Sequence, residues 1–175
     1  ITTAPDTLPV DYTPWTHVEL FANWVSGSSS WQDQVMKDET IVYSIQADLQ
    51  HVTGAMFDLK YDPAKLEIVE VIPTYAFDPV PLTTSVIDTS VAGVIHYDGW
   101  KLTQVSGEKV VLYTVEFKAK QFGTTDTLDF DETTDLFSMT PLVNGVPSGS
   151  STNIYAYLLN SKIVNLPTLP VLDIE

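Results

Sequence analysis

Through most of the chain, apolar and polar side chains alternate with a period of two rather than 3.6, as in strands with one buried face. Ile41, Tyr43, Ile45, Ala47 and Leu49 alternate with Val42, Ser44, Gln46 and Asp48, and Phe57, Leu59 and Tyr61 alternate with Met56, Asp58 and Lys60. The same holds for Ile95 and Tyr97 against His96 and Asp98, and for Leu128 and Phe130 against Asp129 and Asp131. Val111, Tyr113, Val115 and Phe117 likewise alternate with Leu112, Thr114, Glu116 and Lys118. Further strand-like runs cover residues 17–25, 66–72, 84–88 and 154–166, the last bent near Asn160. Turn chemistry separates the runs at Tyr61-Asp62-Pro63, Ala92-Gly93, Ser106-Gly107-Glu108, Phe122-Gly123 and Asn144-Gly145. Residues 63–66 make at most one helical turn, and no longer amphipathic helix is visible. Short strands with one apolar face each bury those faces by packing two sheets together, so the pattern predicts an all-β sandwich. Residues 26–38 and 133–153 exceed hairpin length and read as loop-like insertions, either covers for the sheet ends or carriers of function.

The chain has 175 residues, 44% of them hydrophobic and 11% aromatic, enough for a real core in a single domain despite a high charge. Eight basic residues, all lysine, face 23 acids, for a net charge of −15. Phosphate binding needs Lys/Arg clusters that release counterions, so nucleic acid is excluded as a partner and an anionic membrane surface is disfavoured. No apolar run approaches the roughly 20 residues that span a bilayer, so no membrane insertion is expected. The absence of cysteine removes disulfides, thiolate metal sites and a cysteine nucleophile. Residues 1–14 and 167–175 are proline-rich and read as N-terminal and C-terminal linkers around a domain at 15–166. With no initiator Met before Ile1 and no signal segment, the chain reads as a module cut from a longer multidomain protein.

Catalytic chemistry finds little support. His17, His51 and His96 sit in strand-like runs, and no serine stands in a G-x-S-x-G elbow. There is no H-E-x-x-H pair and no glycine-rich phosphate loop. Carboxylate pairs for glycoside hydrolysis exist among the 23 acids, but a small sandwich without arginine has few substrate clamps. The acidic run Asp126, Asp129, Asp131, Glu132 and Asp135 invites a calcium reading, yet it lacks the glycine an EF-hand loop uses at its sixth position. Acids alternating along a solvated strand face explain the run more simply, so no metal, no cofactor and no enzyme activity are expected. Trp15, Trp24, Trp31 and Trp100 remain. In a coplanar row, tryptophans stack on sugar rings; otherwise they serve the core or a protein contact. Only Trp100 has a readable orientation. It continues the face of Val94, His96 and Asp98, opposite Ile95 and Tyr97, where a large aromatic among polar residues suits a protein-binding patch.

Residues 50–73, QHVTGAMFDLKYDPAKLEIVEVIP, resemble the cohesin pattern, in which a strand ends in an apolar-x-Tyr-Asp-Pro turn and a Leu-Glu-Val/Ile strand follows. Lys37-Asp38-Glu39-Thr40 leading into IVYSIQADLQHVTG resembles that family's G-D-T-V-x-V-P-V-x-L-x-N-V-x-G segment. GVIHYDGW resembles its sixth strand, GEKVVLYTVEFKAK its seventh and NSKIVNL its closing strand, so the resemblance spans about residues 16–166. The chain departs from the pattern at Lys37, where glycine is expected, and in the 26–38 insertion.

The resemblance implies a nine-stranded β-sandwich of jelly-roll topology, extracellular or attached to the cell surface. Such a module binds the dockerin domain of a cellulosomal enzyme or scaffoldin; the dockerin holds the calcium, and the cohesin is non-catalytic and monomeric on its own. It also implies a recognition face on strands eight, three, six and five. Strand three then covers residues 54–60, strand five 84–89 and strand six 94–100. The outward residues become Met56, Asp58 and Lys60 on strand three, and His96, Asp98 and Trp100 on strand six. Asp88 and Thr89 join from strand five, and Asp129 and Asp131 from strand eight. Gly54 and Met56 stand where the family often carries Asn and Asp, so this patch should be more apolar at its middle. Met56 and Trp100 ringed by Asp58, Lys60, His96 and Asp98 would give the apolar centre and polar rim of a protein interface. The alternative is a carbohydrate-binding module on a similar sandwich, taking plant cell-wall polysaccharide.

Overall fold

The computed structural model describes residues 18–29, 31–80, 84–131, 136–139, 142–143, 146–147, 152–154, 156–157 and 162–168. Its strands are β1 (Val18–Gly27), β2 (Thr40–Lys60), β3 (Leu66–Pro73), β4 (Asp78–Pro79), β5 (Ile87–Asp88), β6 (Val94–Ala119) and β7 (Thr124–Phe130). Short segments follow: β8 (Leu136–Met139), β9 (Leu142–Val143), β10 (Val146–Pro147), β11 (Thr152–Ile154), β12 (Ala156–Tyr157) and β13 (Lys162–Leu166). Among the described residues no helix is long and apolar enough to cross a membrane. Both expected linkers, apart from Pro167 and Thr168, lie outside the described residues, as do Trp15, His17 and Asn144-Gly145.

β2 and β6 are too long for one layer. They pair antiparallel from Thr40↔Lys118 to Lys60↔Val94, with register shifts between Ala47 and Gly54 where the ribbon bends. At the bend His51 (φ 53°) and Lys109 (φ 49°) adopt the left-handed conformation. Side chains hold both in place: the His51 N–H donates to Ser106 Oγ at 2.8 Å and the Lys109 N–H to Asp48 Oδ1 at 2.7 Å. The bend carries the ribbon from one layer into the other. The first half of β2 and the second half of β6 lie in the order β12-β1-β2-β6-β3. The other halves lie in the order β11-β8-β2-β6, with β4 and β5 end to end along the outer side of β6. β7 joins the far end of β2, where Leu59 opposes Phe130, and pairs with β13.

The nine expected strands are therefore present as β1, two halves of β2, β3, β5, two halves of β6, β7 and β13, and the sandwich has jelly-roll topology. Three details differ from the pattern. Ser106-Gly107-Glu108 does not end a strand, because the ladder continues through it. The run at 84–88 pairs only at Ile87 and Asp88, and residues 136–139, read as part of an insertion, form a strand beside Gly54 and Met56. Leu112, expected to face outward, is fully buried. Tyr113 opposes Ile45 and Val111 opposes Gln46, so Leu112 is the extra residue of a β-bulge, which breaks the alternation there.

The core lies between the layers. Tyr113 from one layer stacks on Phe57 (6.3 Å) and Tyr97 (6.1 Å) from the other, and Phe57 also stacks on Tyr97 (5.1 Å) and Phe137 (6.1 Å). Each such pair adds about 0.5–1.5 kcal/mol beyond its buried area. Ile41, Ile45, Leu59, Leu66 and Phe117 fill the space around this stack. The segment after β1 covers one end: Val35 is buried, its N–H donates to Asn165 O at 3.1 Å, and the Asn165 N–H donates to Asp33 O at 2.8 Å.

Candidate functional site

Alternation along β2 and β6 sends Phe57, Leu59, Ile95 and Tyr97 into the core and leaves their neighbours on the outer face of the second layer. The register decides which of those stand side by side. Gly54 opposes Trp100, Met56 opposes Asp98, Asp58 opposes His96, and Lys60 opposes Val94. Directly opposed residues share a face, so Met56 and Trp100 are neighbours on one water-facing surface, both half-buried. Asp88 of β5 opposes His96 and extends the third row; Asp129 of β7 opposes Lys60 and extends the fourth.

Each row has its own chemistry. In the first, Gly54 places no side chain opposite Trp100, and a cavity of about 210 Å³ opens there, walled by Met56, Val80, Asp98 and Trp100. The Trp100 indole N–H donates to Pro79 O at 2.8 Å, tying the ring to β4. β4 can come this close because residue 99 is glycine: a Cβ there would meet Phe77 Cβ at 2.7 Å. With its polar edge satisfied inside the chain, the ring leaves apolar surface toward the cavity.

In the third row, His96 Nδ1 lies 2.5 Å from Asp58 Oδ1. Asp88 Oδ1 accepts the Ser90 N–H at 2.8 Å, which holds the Asp88 carboxyl below the usual carboxylate range. Asp58, Asp88, Ser90, Val91, Val94 and His96 line a second cavity, of about 270 Å³. At the end of the face, Lys60 Nζ lies 2.5 Å from Asp131 Oδ2, and that hydrogen bond raises the lysine's pKa. A surface pair of this kind orders the rim more than it stabilises the fold.

The expected residues on β2 and β6 thus share one face with Asp88, Asp129 and Asp131. Thr89 sits apart, on a different cavity with Tyr61, Glu67 and Lys120. Sequence reasoning passed over Val80, Ser90 and Val91 as walls. Val91 is 63% exposed, but it lies in a turn where no period marks it, and β4 is too short to alternate. Val94 was legible as outward from the pattern around Ile95.

The remaining candidates have other roles. Trp24 packs against the core from β1, whereas Trp31 is 70% exposed in the segment after it. Asp126 is buried and accepts the Asp62 N–H (3.0 Å) and the Thr127 N–H (2.8 Å), so it pins the Tyr61-Asp62-Pro63 turn. Burial pushes its carboxyl up. Among the described residues no three metal-ligating side chains gather.

No family model and no curated protein matches the chain. Solved structures do. The seventh ScaB type I cohesin of Pseudobacteroides cellulosolvens superimposes with a TM-score of 0.65 over 91% of this chain and 97% of its own, at 16% identity. CaCohA2 of Clostridium acetobutylicum gives 0.60 over 86% and 91%, at 14% identity. A chain of the Coh-OlpC type I cohesin–dockerin complex of Clostridium thermocellum gives 0.60 over 90% and 97%, at 13% identity. The strand order, the bent ribbon and these superpositions agree: this chain has the cohesin fold.

Proposed function

We propose that the chain is a non-catalytic docking module that binds a calcium-loaded dockerin on the outer face of β2 and β6. In this role it assembles or surface-anchors a cellulosome-type complex outside the cell. One observation carries the reading: Met56 and Trp100 stand together over an open cavity, with carboxylates, a lysine and a histidine around them. That is the anatomy of a protein interface, with an aromatic anchor at the centre and a polar rim. Solved structures of the same fold include complexes with dockerins. An interface of roughly 1,200–2,000 Å² would cover this face. A net charge of −15 favours a partner with lysines or arginines, chiefly through faster encounter.

The test is a calorimetric screen against a panel of dockerins, with calcium and again with a chelator. The expected result is one-to-one binding with calcium and none without it. Binding to cellulose or xylan, with no response to any dockerin, would overturn the reading.

A further inference from the structure

Away from the docking face, β3 is an edge strand: among the described residues it pairs only with β6. Lys65 O accepts the Lys120 N–H at 2.8 Å. Ala119, opposite Leu66, turns the other way, accepting from the Asp38 N–H at 2.8 Å and donating to Glu39 O at 3.0 Å. In an antiparallel ladder the residues alternate between facing the partner strand and facing away. The N–H and C=O of Ile68, opposite Phe117, therefore point out from the sheet edge. A cavity of about 430 Å³ opens on the same edge, walled by Tyr61, Leu66, Glu67, Ile68, Thr89 and Lys120. Thr89 reaches it from beside β5, so the cavity lies between the edges of the two layers.

The side chains along this edge state what would pair with it. Ile68 packs toward the core. A residue added opposite it shares its face and sends its side chain into the cavity, against the Tyr61 ring, whose centroid lies 5.1 Å from that of Phe117. The neighbours of that residue fall on the outer face. There Glu67 opposes Lys118 and Glu70 opposes Glu116, with Val69 as the extra residue of a bulge, so both exposed glutamates share one face. The two nearby lysines do not cancel this charge at the edge. Lys118 lies one strand in, where Glu116 shares its face, and Lys120 Nζ donates to Pro63 O at 2.9 Å. A second copy of the chain is a poor occupant, because it would set these glutamates against their own counterparts under a net charge of −15 per chain. A basic strand meets no such repulsion.

We propose that the β3 edge is a second interaction surface, which takes an extended, basic segment of another protein as an added strand. That segment carries lysine or arginine at positions i and i+2, facing Glu67 and Glu70, and a large side chain at i+1 that fills the Tyr61/Thr89 cavity. Backbone hydrogen bonds to Ile68 hold the segment, and the cavity and the glutamates select its sequence. The surface is separate from the Trp100 face and does not depend on what binds there.

A library of linear random peptides displayed on phage, panned on the intact chain, tests the proposal. Among the winners, those that still bind the Trp100→Ala variant are expected to carry Lys or Arg at i and i+2 around a large side chain. A synthetic copy of such a winner should lose about tenfold or more in affinity for the Glu67→Gln/Glu70→Gln variant. It should bind the Asp58→Asn/Asp88→Asn variant unchanged, since that variant removes the same net charge from the other face. Bound peptide should slow amide exchange at Ile68. Methylating one alternate set of the peptide's backbone nitrogens should abolish binding, while methylating the other set should leave it intact. A library that yields no such peptide would overturn the proposal. Equal losses from both double variants would also overturn it, since they would mean bulk charge alone, as would indifference to backbone methylation in both sets.

Discussion

Tyr43 brings its ring into the core from β2 and its hydroxyl out to Asp33, to which it donates at 3.0 Å; Asp33 also meets Lys162 Nζ at 2.9 Å. One side chain thereby links the core, the segment after β1 and the last strand. Tyr43→Phe keeps the ring and removes the donor to a half-buried carboxylate, so a loss of about 1.5 kcal/mol in urea unfolding is expected. Amide exchange around Asp33 and Val35 should quicken in the same variant. Unchanged stability and exchange would show that the hydroxyl does not anchor this segment. The individual outward residues of β2 and β6 were legible from the alternation around Phe57, Ile95 and Tyr97, whose buried faces fix the opposite side. Wall residues in turns and short strands, such as Val91 and Val80, were not legible, because orientation there depends on tertiary pairing rather than on period.

Among the elements, β4 shapes the candidate site most directly, although it has only two residues. It supplies the Pro79 carbonyl that holds Trp100, and it lies close only because position 99 lacks a side chain. Gly99→Ala would push Cβ against Phe77 and cost about 1–3 kcal/mol as an overpacked contact. It should also shift Trp100 fluorescence as the Pro79 contact loosens. Wild-type stability with an unmoved spectrum would show that the close approach is not needed. The elements also mark where the sequence stopped being readable. Ser106-Gly107-Glu108 has turn chemistry, but whether such a segment ends a strand or bends it depends on the partner strand. Here Asp48 and Ser106 supply side-chain acceptors that let the ribbon continue through Lys109 and His51. Leu112 fell on the wrong face for a similar reason, since one bulged residue inverts the parity read from alternation.

At the scale of the whole molecule, the core depends on phenols that stay neutral. Burial raises the pKa of Tyr43, Tyr97 and Tyr113. In the unfolded chain the same phenols ionise near pH 10. Above about that pH the unfolded state holds fewer protons than the folded state, so stability falls as pH rises. Three such groups give a slope of about 4 kcal/mol per pH unit. In an alkaline titration followed by phenolate absorbance and circular dichroism, Tyr43, Tyr97 and Tyr113 should ionise only as the sheet signal collapses. Ionisation of these three with the fold intact would contradict their burial in the core. The net charge of −15 acts at this scale too, on encounter rate rather than on fold, so association with a basic partner slows as salt is added.

The central claim is that the water-facing side of β2 and β6 holds another polypeptide through Trp100. Titration calorimetry of the Trp100→Ala variant against a calcium-loaded dockerin that binds the parent chain measures this directly, with Trp31→Ala as the control for an exposed tryptophan elsewhere. The account predicts a loss of about 2 kcal/mol or more, roughly 30-fold in affinity, for Trp100→Ala and none for Trp31→Ala. Equal affinity of the Trp100→Ala variant and the parent chain would contradict it.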